Sequence, residues 1–153
     1  MAKNQLDPID NRILNELTLD ARIPFTKLAA KLKVSNTLVH QRIKKMKDNG
    51  ILKNATIQLD PWMLGYETSA FTQIMLSDSK HHKKVEKKLA SIPEITECVN
   101  ISGRYAILVK IFAKNNRHLR DLIYEKIHTI DGVEGTNTTM SFETAFVRNI
   151  PFG

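Results

Sequence analysis

Two short amphipathic stretches, separated by only a few residues, constrain the fold of this chain more than any other feature. The first stretch ends near Lys33 and Val34, and the second follows Ser35, whose hydroxyl can accept a backbone N–H two or three residues further on. Gly50 marks the end of the second stretch. Two helices joined by so short a turn cannot lie antiparallel, so the spacing predicts a helix-turn-helix. Its apolar positions are Phe25, Leu28, Ala29, Leu32, Val39, Ile43 and Met46.

A third helix is predicted before this pair. Asp7 can cap its start, Pro8 suits the first helical position, and Asp10 lies in the first turn, where the helix dipole favours an acid. Pro24 disfavours helix just before it. A short strand over residues 52–61 is predicted to lead out of this module, which would give it a winged form.

Positive charge is concentrated in the same part of the chain. The net charge is +7, and residues 22–53 contain nine Lys/Arg against one acid. Residues 1–60 have a balance of +5, whereas residues 61–153 have +2. A basic block confined to one region is typical of nucleic-acid binding. A membrane surface or an acidic protein would attract the same charge, so charge alone does not decide.

The side of the second helix that faces away from its apolar residues is predicted to contact DNA. Asn and Gln can bond adenine edges, Thr and His can reach bases or phosphates, and Lys suits guanine edges or phosphates. A merely solvated helix usually pairs Glu with Lys four residues apart, and this face does not. For Arg42, phosphate binding and bracing of the fold both stay open. The predicted DNA-binding residues are Ser35, Asn36, Thr37, His40, Gln41, Arg42, Lys44 and Lys45.

The remaining two thirds alternate strand and helix patterns. The order β-α-β-β-α-β is that of a ferredoxin-like fold. The sequence therefore predicts an α+β protein with a helix-turn-helix domain at 1–60 and a ferredoxin-like domain at 61–153, with a hinge near 59–65. The predicted elements are strand 69–76, helix 80–92, strands 95–101 and 105–113, helix 119–130 and strand 136–146.

Several other functions are disfavoured by the sequence. No apolar run reaches the roughly 18–20 residues that span a bilayer, and the N-terminus lacks the apolar segment of a signal peptide, so a cytoplasmic, nucleoid-associated protein is expected. Cys98 is predicted to be a buried small side chain rather than a nucleophile. His81 and His82 have no further ligands at metal spacing. Without a phosphate loop or a nucleophile–base motif, we expect no enzyme activity, metal or cofactor.

One face of the predicted sheet is left without helices. Its apolar and Thr-rich character favours burial against a second copy of the chain, so a homodimer is predicted. An ordinary half-exposed antiparallel sheet is the alternative.

Six segments, taken in order, resemble one family over almost the whole chain: LDPIDNRILNEL, DARIPFTKLAAKL, VSNTLVHQRIKKMKDNGIL, LDPWMLGY, SGRYAILVK and IDGVEGTNTTM. Together they resemble the feast/famine, or Lrp/AsnC, regulators. The resemblance implies a bacterial or archaeal transcription factor whose dimers assemble further, often to octamers. It also implies a small amino acid bound between dimers that changes assembly or DNA affinity. An architectural DNA-binding protein that needs no effector is the alternative.

The resemblance also assigns effector-binding residues. They are Ser102, Gly103, Arg104, Tyr105 and Ala106 in one loop, and Thr136, Asn137 and Thr138 in the last strand. Many members have acids beside the aromatic residue of that loop, whereas this chain has Arg104 and Ala106. That pattern is more similar to the asparagine-responsive branch, which implies asparagine or another small polar amino acid rather than leucine.

Overall fold

The computed structural model describes residues 6–53 and 55–152, and these form two compact units. The first unit contains residues up to Gln58 together with the C-terminal segment from Val147, and the second runs from Leu59 to Phe146. The first boundary lies within two residues of the predicted one at 60. The sequence did not indicate that the C-terminal segment groups with the N-terminal helices.

The first unit is built from three helices, α1 (Pro8–Leu19), α2 (Phe25–Leu32) and α3 (Asn36–Asp48). Asp7 caps α1, because its side chain accepts the backbone N–H groups of Ile9 and Asp10, both at 2.8 Å. The Asp10 side chain accepts the Asp7 N–H in return at 3.3 Å, which completes a capping box. Ser35 caps α3 through an N–H bond from Leu38 of 3.1 Å.

The turn between α2 and α3 depends on one left-handed residue. Lys33 has φ 56° and ψ 47°, and the N–H of the next residue, Val34, bonds to the Ala29 carbonyl at 3.0 Å. The chain can therefore leave α2 and enter α3 within three residues. The predicted helix-turn-helix is confirmed.

A single apolar cluster holds the three helices together. Ile13 from α1, Leu28 from α2 and Val39 from α3 are fully buried in it. Phe152, from the C-terminal segment, packs against the same cluster. The tail is thus part of the packing of this unit.

The second unit is a four-stranded antiparallel sheet in the order β2-β3-β1-β4, with the predicted β-α-β-β-α-β connectivity. A ferredoxin-like fold is confirmed. Its strands are β1 (Thr68–Leu76), β2 (Ile95–Asn100), β3 (Ile107–Ala113) and β4 (Val133–Ser141). Its helices are α4 (His82–Leu89) and α5 (Asn116–Asp121), the latter continued by a π-helical segment (Leu122–Ile127). Short 3-10 turns span Trp62–Leu64 and Ser79–His81.

Alternation along β1 separates the two faces of the sheet. Ala70, Thr72 and Ile74 are buried on the face that the helices cover, together with Val85 and Leu89 of α4. Between them, Phe71, Gln73 and Met75 point to the other face, which we call the open face. Thr72 is fully buried, and its hydroxyl is 2.9 Å from that of Thr138 on β4, which satisfies this polar group in the core.

Two predicted strands differ from the structure. No strand forms in the described residues of 52–61, where residue 54 lies outside the described part, so the helix-turn-helix has no wing there. β4 ends at Ser141 rather than near 146, because Ser141 pairs with Ser69 at the start of β1. Beyond that pair only Thr68 remains in β1, so the ladder cannot continue to residue 146. The described residues of 52–61 and residues 142–146 have side chains typical of strands, but neither segment pairs with a neighbouring strand.

The prediction for Cys98 was wrong, because its side chain is exposed. A register shift between Ile95 and Glu97 interrupts the period of two along β2 and places Cys98 opposite Val109. β2 is also an edge strand, so α4 covers it incompletely. The pKa of the Cys98 thiol is raised, mainly by partial burial and secondarily by the Glu86 carboxylate.

Candidate nucleic-acid interface and effector site

The outer face of α3 exposes the polar side chains predicted to contact DNA. Val39, Ile43 and Met46 are buried, which turns the opposite side of the helix to solvent. The exposed residues on that side are Asn36, Thr37, His40, Gln41, Lys44 and Lys45. Ser35 is exposed too, with its oxygen engaged as the helix cap. The structure therefore brings these seven predicted residues onto one accessible surface.

Arg42 is placed differently from its neighbours. It is half-buried and forms ion pairs with Asp7 and, at 3.6 Å, with Asp10, which lie at the start of α1. The pKa of Asp7 is lowered, first by the N–H bond from Asp10 and then by the positive charge of Arg42. Of the two roles left open by the sequence, these contacts support the brace between α1 and α3.

His40 is positioned by a neighbouring aromatic ring. Its imidazole lies edge-on to Phe25 of α2, with 4.8 Å between the ring centroids. This contact restricts the side chain without burying it, because His40 stays exposed. A ring held in one orientation loses less entropy when it binds a phosphate or a base.

The lysines of α2 and α3 differ in whether a carboxylate lies close enough to pair with them. Lys31 on α2 bonds to Glu16 of α1 at 2.5 Å. Among the described residues, no carboxylate lies within 4.0 Å of the amino groups of Lys44 or Lys45. Their charge is consequently available to phosphates.

The predicted effector loop joins β2 to β3. It is closed by a bond from the Ile101 N–H to the Ala106 carbonyl of 3.0 Å, and Gly103 has φ 106°, a conformation that favours glycine. Arg104 is exposed, with its Nε 3.3 Å from the Met75 sulfur. Ser102 and Gly103 are also exposed, whereas Tyr105 and Ala106 are half-buried.

The start of β4 lies at the same end of the sheet as this loop. The Ala106 N–H bonds to the Ile74 carbonyl at 3.0 Å, and Ile74 pairs with Thr136 in the β1–β4 ladder. However, successive strand residues point to opposite faces. Thr138 bonds to Thr72 on the covered face, whereas the Asn137 amide donates to Gln73 on the open face at 3.2 Å. The three predicted β4 residues therefore do not share one surface.

Sequence reasoning missed two residues at this end of the sheet. His128 Nε2 lies 2.8 Å from the Thr136 hydroxyl. Tyr124 packs edge-on against the His128 ring at 5.1 Å and is itself exposed. Their spacing of four residues, which places them on one side of a helix, was a signal in the sequence.

No group of three or more His, Cys, Asp or Glu side chains in residues 6–53 and 55–152 is arranged to hold a metal ion. His81 instead packs closely against the backbone of Gly132. Within the same residues, no helix is both long enough and apolar enough to cross a membrane.

A helix-turn-helix with an exposed basic and amide-bearing face, followed by a ferredoxin-like unit, defines a class of two-domain DNA-binding regulators. Comparisons with known proteins specify the family. The AsnC-type helix-turn-helix domain matches residues 6–47, and the Lrp/AsnC ligand binding domain matches residues 69–150. The chain belongs to the Lrp/AsnC family and is a transcriptional regulator with a helix-turn-helix domain and a ligand-binding domain.

Relatives with known names resemble the chain over nearly all of its length. Regulatory protein AsnC of Haemophilus influenzae is 34% identical over 147 residues, which cover 96% of this chain and 98% of that protein. The transcriptional regulator FL11 of Pyrococcus furiosus is 34% identical over 133 residues, 87% of each chain. The structure of Escherichia coli AsnC superposes with a TM-score of 0.88 at 33% identity, covering 95% of this chain and 98% of that one.

The fold is also shared with more distant structures. A Neisseria meningitidis regulator, solved as a complex with L-Met, has a TM-score of 0.88 at 18% identity and covers 96% of this chain and 97% of that one. At this identity the comparison supports the fold alone.

Proposed function

We propose that α3 reads the base sequence of an operator and that a small polar amino acid, such as asparagine, changes assembly or DNA affinity. The amino acid would bind between dimers. The observation that carries the proposal is the face of α3, where amides and unpaired lysines are exposed on one side of a helix whose other side is buried. Such a helix fits the major groove.

Two kinds of contact on α3 can be separated by experiment. Asn36 and Gln41 have amides that can pair with base edges, so Asn36→Ala or Gln41→Ala should reduce discrimination by about 1–3 kcal/mol. Lys44→Ala should weaken binding to all sequences, because it removes a phosphate contact. Binding sites selected from random duplexes, followed by fluorescence anisotropy on selected and scrambled DNA, measure both effects. Equal losses on the two DNAs for Gln41→Ala would contradict base reading.

The open face of the sheet supports a dimer. Phe71 is 37% exposed there, and Lys110 lies over both Phe71 and Phe112, with its amino group 5.5 and 5.2 Å from the ring centroids. A second copy of the same face would cover these rings. We propose that such dimers associate further, as a tetramer of dimers, and that the effector binds at the contacts between them.

The effector site is proposed at the end of the sheet where the loop of residues 102–106 meets the start of β4. Arg104 and Asn137 provide guanidinium and amide groups there on the open face, and Thr136 and His128 provide hydroxyl and imidazole groups on the covered face. These groups suit an amino acid with a polar side chain better than a branched apolar one. An effector can change DNA binding only through the difference between its affinities for two assembly states.

Sedimentation of the full chain at physiological salt tests the proposed switch. Runs are made alone and with millimolar asparagine, leucine or methionine, and a thermal-shift screen covers all twenty amino acids. A shift of assembly with asparagine, or with another small polar amino acid, supports the proposal. Stabilisation by branched apolar amino acids only would overturn the assignment of the ligand.

An effector-independent architectural role is the second candidate, favoured by the replacement of acids with Arg104 and Ala106 in the loop. The ratio of specific to non-specific affinity separates the two. A local regulator should show a ratio of about 10³ or more, whereas an architectural protein should show little preference.

A further inference from the structure

A second basic surface lies on α4, in the ferredoxin-like unit. Residues 80–88 contain five lysines and one acid, whereas the rest of residues 61–153 contains seven Lys/Arg and nine acids. Residues 61–153 would therefore have a net charge of −2 without this segment, and their positive balance arises from it.

The lysines of this helix share one side. At 100° per residue, Lys83, Lys84, Lys87 and Lys88 fall within an arc of about 140°. Val85 and Leu89, which are fully buried, lie on the opposite side. All four lysines are exposed. We call them, with Lys80 one turn earlier, the α4 lysine face.

Most of this charge is not neutralised within the unit. Lys84 bonds to Asp131 at 2.6 Å, and Lys80 lies 3.1 Å from Asp78. No carboxylate of the described residues lies within 4.0 Å of the amino groups of the other three lysines. The face retains about three uncompensated charges, a concentration comparable to that of α3.

The arrangement of these charges opposes the stability of the helix itself. Lysines at 83 and 87, and at 84 and 88, place like charges four residues apart, which destabilises a helix. The first turn of α4 has no acid, and the cations there oppose the helix dipole, whereas Lys87 and Lys88 in the last turn complement it. Mixed charges would favour both helix formation and solubility, so neither requirement explains a face made of lysines. Attraction to a polyanion explains this face.

We propose that the α4 lysine face is a second DNA contact, which binds phosphates without reading sequence. The inference rests on the proposed DNA-binding function and extends it to the ferredoxin-like unit. From position 80 to 88 the helix extends about 12 Å. A duplex presents about seven phosphates over that length, so every lysine of the face can have a partner.

A small anion fits this helix less well. A hollow of about 530 Å³ lies beside it, lined by Lys84, Lys88 and Lys126 among others. Its two hydroxyl groups are already used as donors, because Ser91 donates to the Lys88 carbonyl and Thr129 to the carbonyls of Glu125 and Lys126. They cannot also donate to a phosphate. The charge of the α4 lysine face is instead spread along the exposed side of the helix, as an extended polyanion requires.

The test uses the full chain with Lys83→Glu and Lys87→Glu combined. Both side chains are exposed, and the change exchanges one like-charged pair for another while placing an acid in the first turn of α4, where the helix dipole favours it, so the fold should be retained. Affinity for a long duplex of random sequence is measured by anisotropy as salt is raised. We expect a loss of roughly tenfold in affinity and a decrease of about 2 in the slope of log K against log salt.

The control variant combines Lys114→Glu with Arg117→Glu. These side chains are also exposed and belong to the same unit, and the substitutions change the net charge by the same amount. Both residues come just after β3, at the end of the sheet where Thr68 pairs with Ala113. The chain passes from β1 to α4 at the other end of the sheet. Equal losses in the two variants would overturn the proposal, because net charge alone would then explain the effect.

A third variant, Lys44→Ala with Lys45→Ala, separates this inference from the proposed function. If these substitutions weaken binding and the α4 variant matches wild type, DNA binding through α3 stands and the α4 contact is refuted. If the wild-type chain shows no salt-dependent binding to any duplex, the proposed function itself fails.

Discussion

α3 and α4 are both short helices with one buried and one basic face, but they present different chemistry beside their lysines. α3 places Asn36, Thr37 and Gln41 among its cations, whereas the exposed side of α4 presents lysine. Amides can distinguish base pairs, but an ammonium group acts mainly as a point charge. Under the two proposals above, affinity and discrimination are divided between two helices of similar charge.

The two helices also differ in how their ion pairs are buried. Arg42 of α3 pairs with Asp10, whose side chain is only 6% exposed. Lys84 of α4 pairs with Asp131 where the two side chains are 56% and 71% exposed. Water screens the second pair far more than the first, so only the first should contribute much to stability.

The largest effect is expected from Arg42→Met, which retains most of the side chain's bulk but removes its charge. Asp10 would lose its cationic partner, and Asp10 Oδ1 already lacks a hydrogen-bond partner in the structure. We expect the first unit to lose about 1–3 kcal/mol of unfolding free energy. Lys84→Met, the matched change on α4, should cost no more than about 0.5 kcal/mol.

Hydrogen exchange resolved by peptide is the appropriate measurement for this pair. The chain has one tryptophan, Trp62, which lies outside the helix-turn-helix unit, so its fluorescence would not report on that unit directly. Arg42→Lys should recover part of the stability because it restores a cation. A similar cost for Arg42→Met and Lys84→Met would remove the distinction between buried and exposed pairs.

Lys44→Ala with Lys45→Ala should have the next largest effect, on DNA binding rather than stability. Loss of two phosphate contacts should lower affinity for every duplex by roughly tenfold and reduce the salt slope by about 2. The free energy of unfolding should be nearly unchanged, because both side chains are exposed. Salt titrations on selected and scrambled duplexes check this. An unchanged slope would show that these lysines do not contact phosphate.

A smaller effect is expected from Lys33→Gly at the turn before α3. Lys33 has φ 56°, which costs a residue with a Cβ atom about 1 kcal/mol relative to glycine. The greater freedom of glycine in the unfolded chain offsets part of this gain, so we expect stabilisation by a few tenths of a kcal/mol. Lys33→Ala should give no such gain. Exchange rates in α2 and α3 measure the difference.

The smallest expected effect concerns acid stability. The pKa of Asp7 is lowered from 3.8, first by the Asp10 N–H bond, and that of Asp131 is lowered by its bond with Lys84. A lowered pKa in the folded state contributes stability above the unfolded value, and this contribution disappears as pH falls through the folded value. In Asp7→Asn the amide oxygen can still cap α1, but the group no longer titrates. The free energy of unfolding should therefore decrease less steeply as pH falls below about 3.8. A steeper loss would contradict the assignment.

Local signals predicted the helices well. Asp7, Pro8 and Ser35 are side chains that fix helix starts through bonds to neighbours in sequence, and the structure forms those bonds. The succession of strands and helices along the second unit followed from the patterns of apolar side chains. Such features depend on a few consecutive residues, so one sequence contains the information.

The errors concern features that depend on distant partners. Residues 55–60 and 142–146 have strand-like side chains, but whether they form a ladder depends on a neighbour that the pattern does not specify. The exposure of Cys98 depends on a register shift and on the edge position of β2. The pleat places Thr136, Asn137 and Thr138 on two faces of the sheet, and their role as effector-binding residues stays a prediction.

The π-helical segment after α5 has a consequence for how the chain tolerates insertions and deletions. The His128 N–H bonds to the Ile123 carbonyl at 2.9 Å, five residues back, so this turn accommodates one more residue than an α-turn. Deleting a single exposed residue there would restore α-helical winding while Leu122 and Ile123 stay in the core. Five π-helical residues turn through about the same angle as four α-helical residues, so His128 would keep its direction toward Thr136. One codon can therefore be lost here while the contact between His128 and Thr136 is retained.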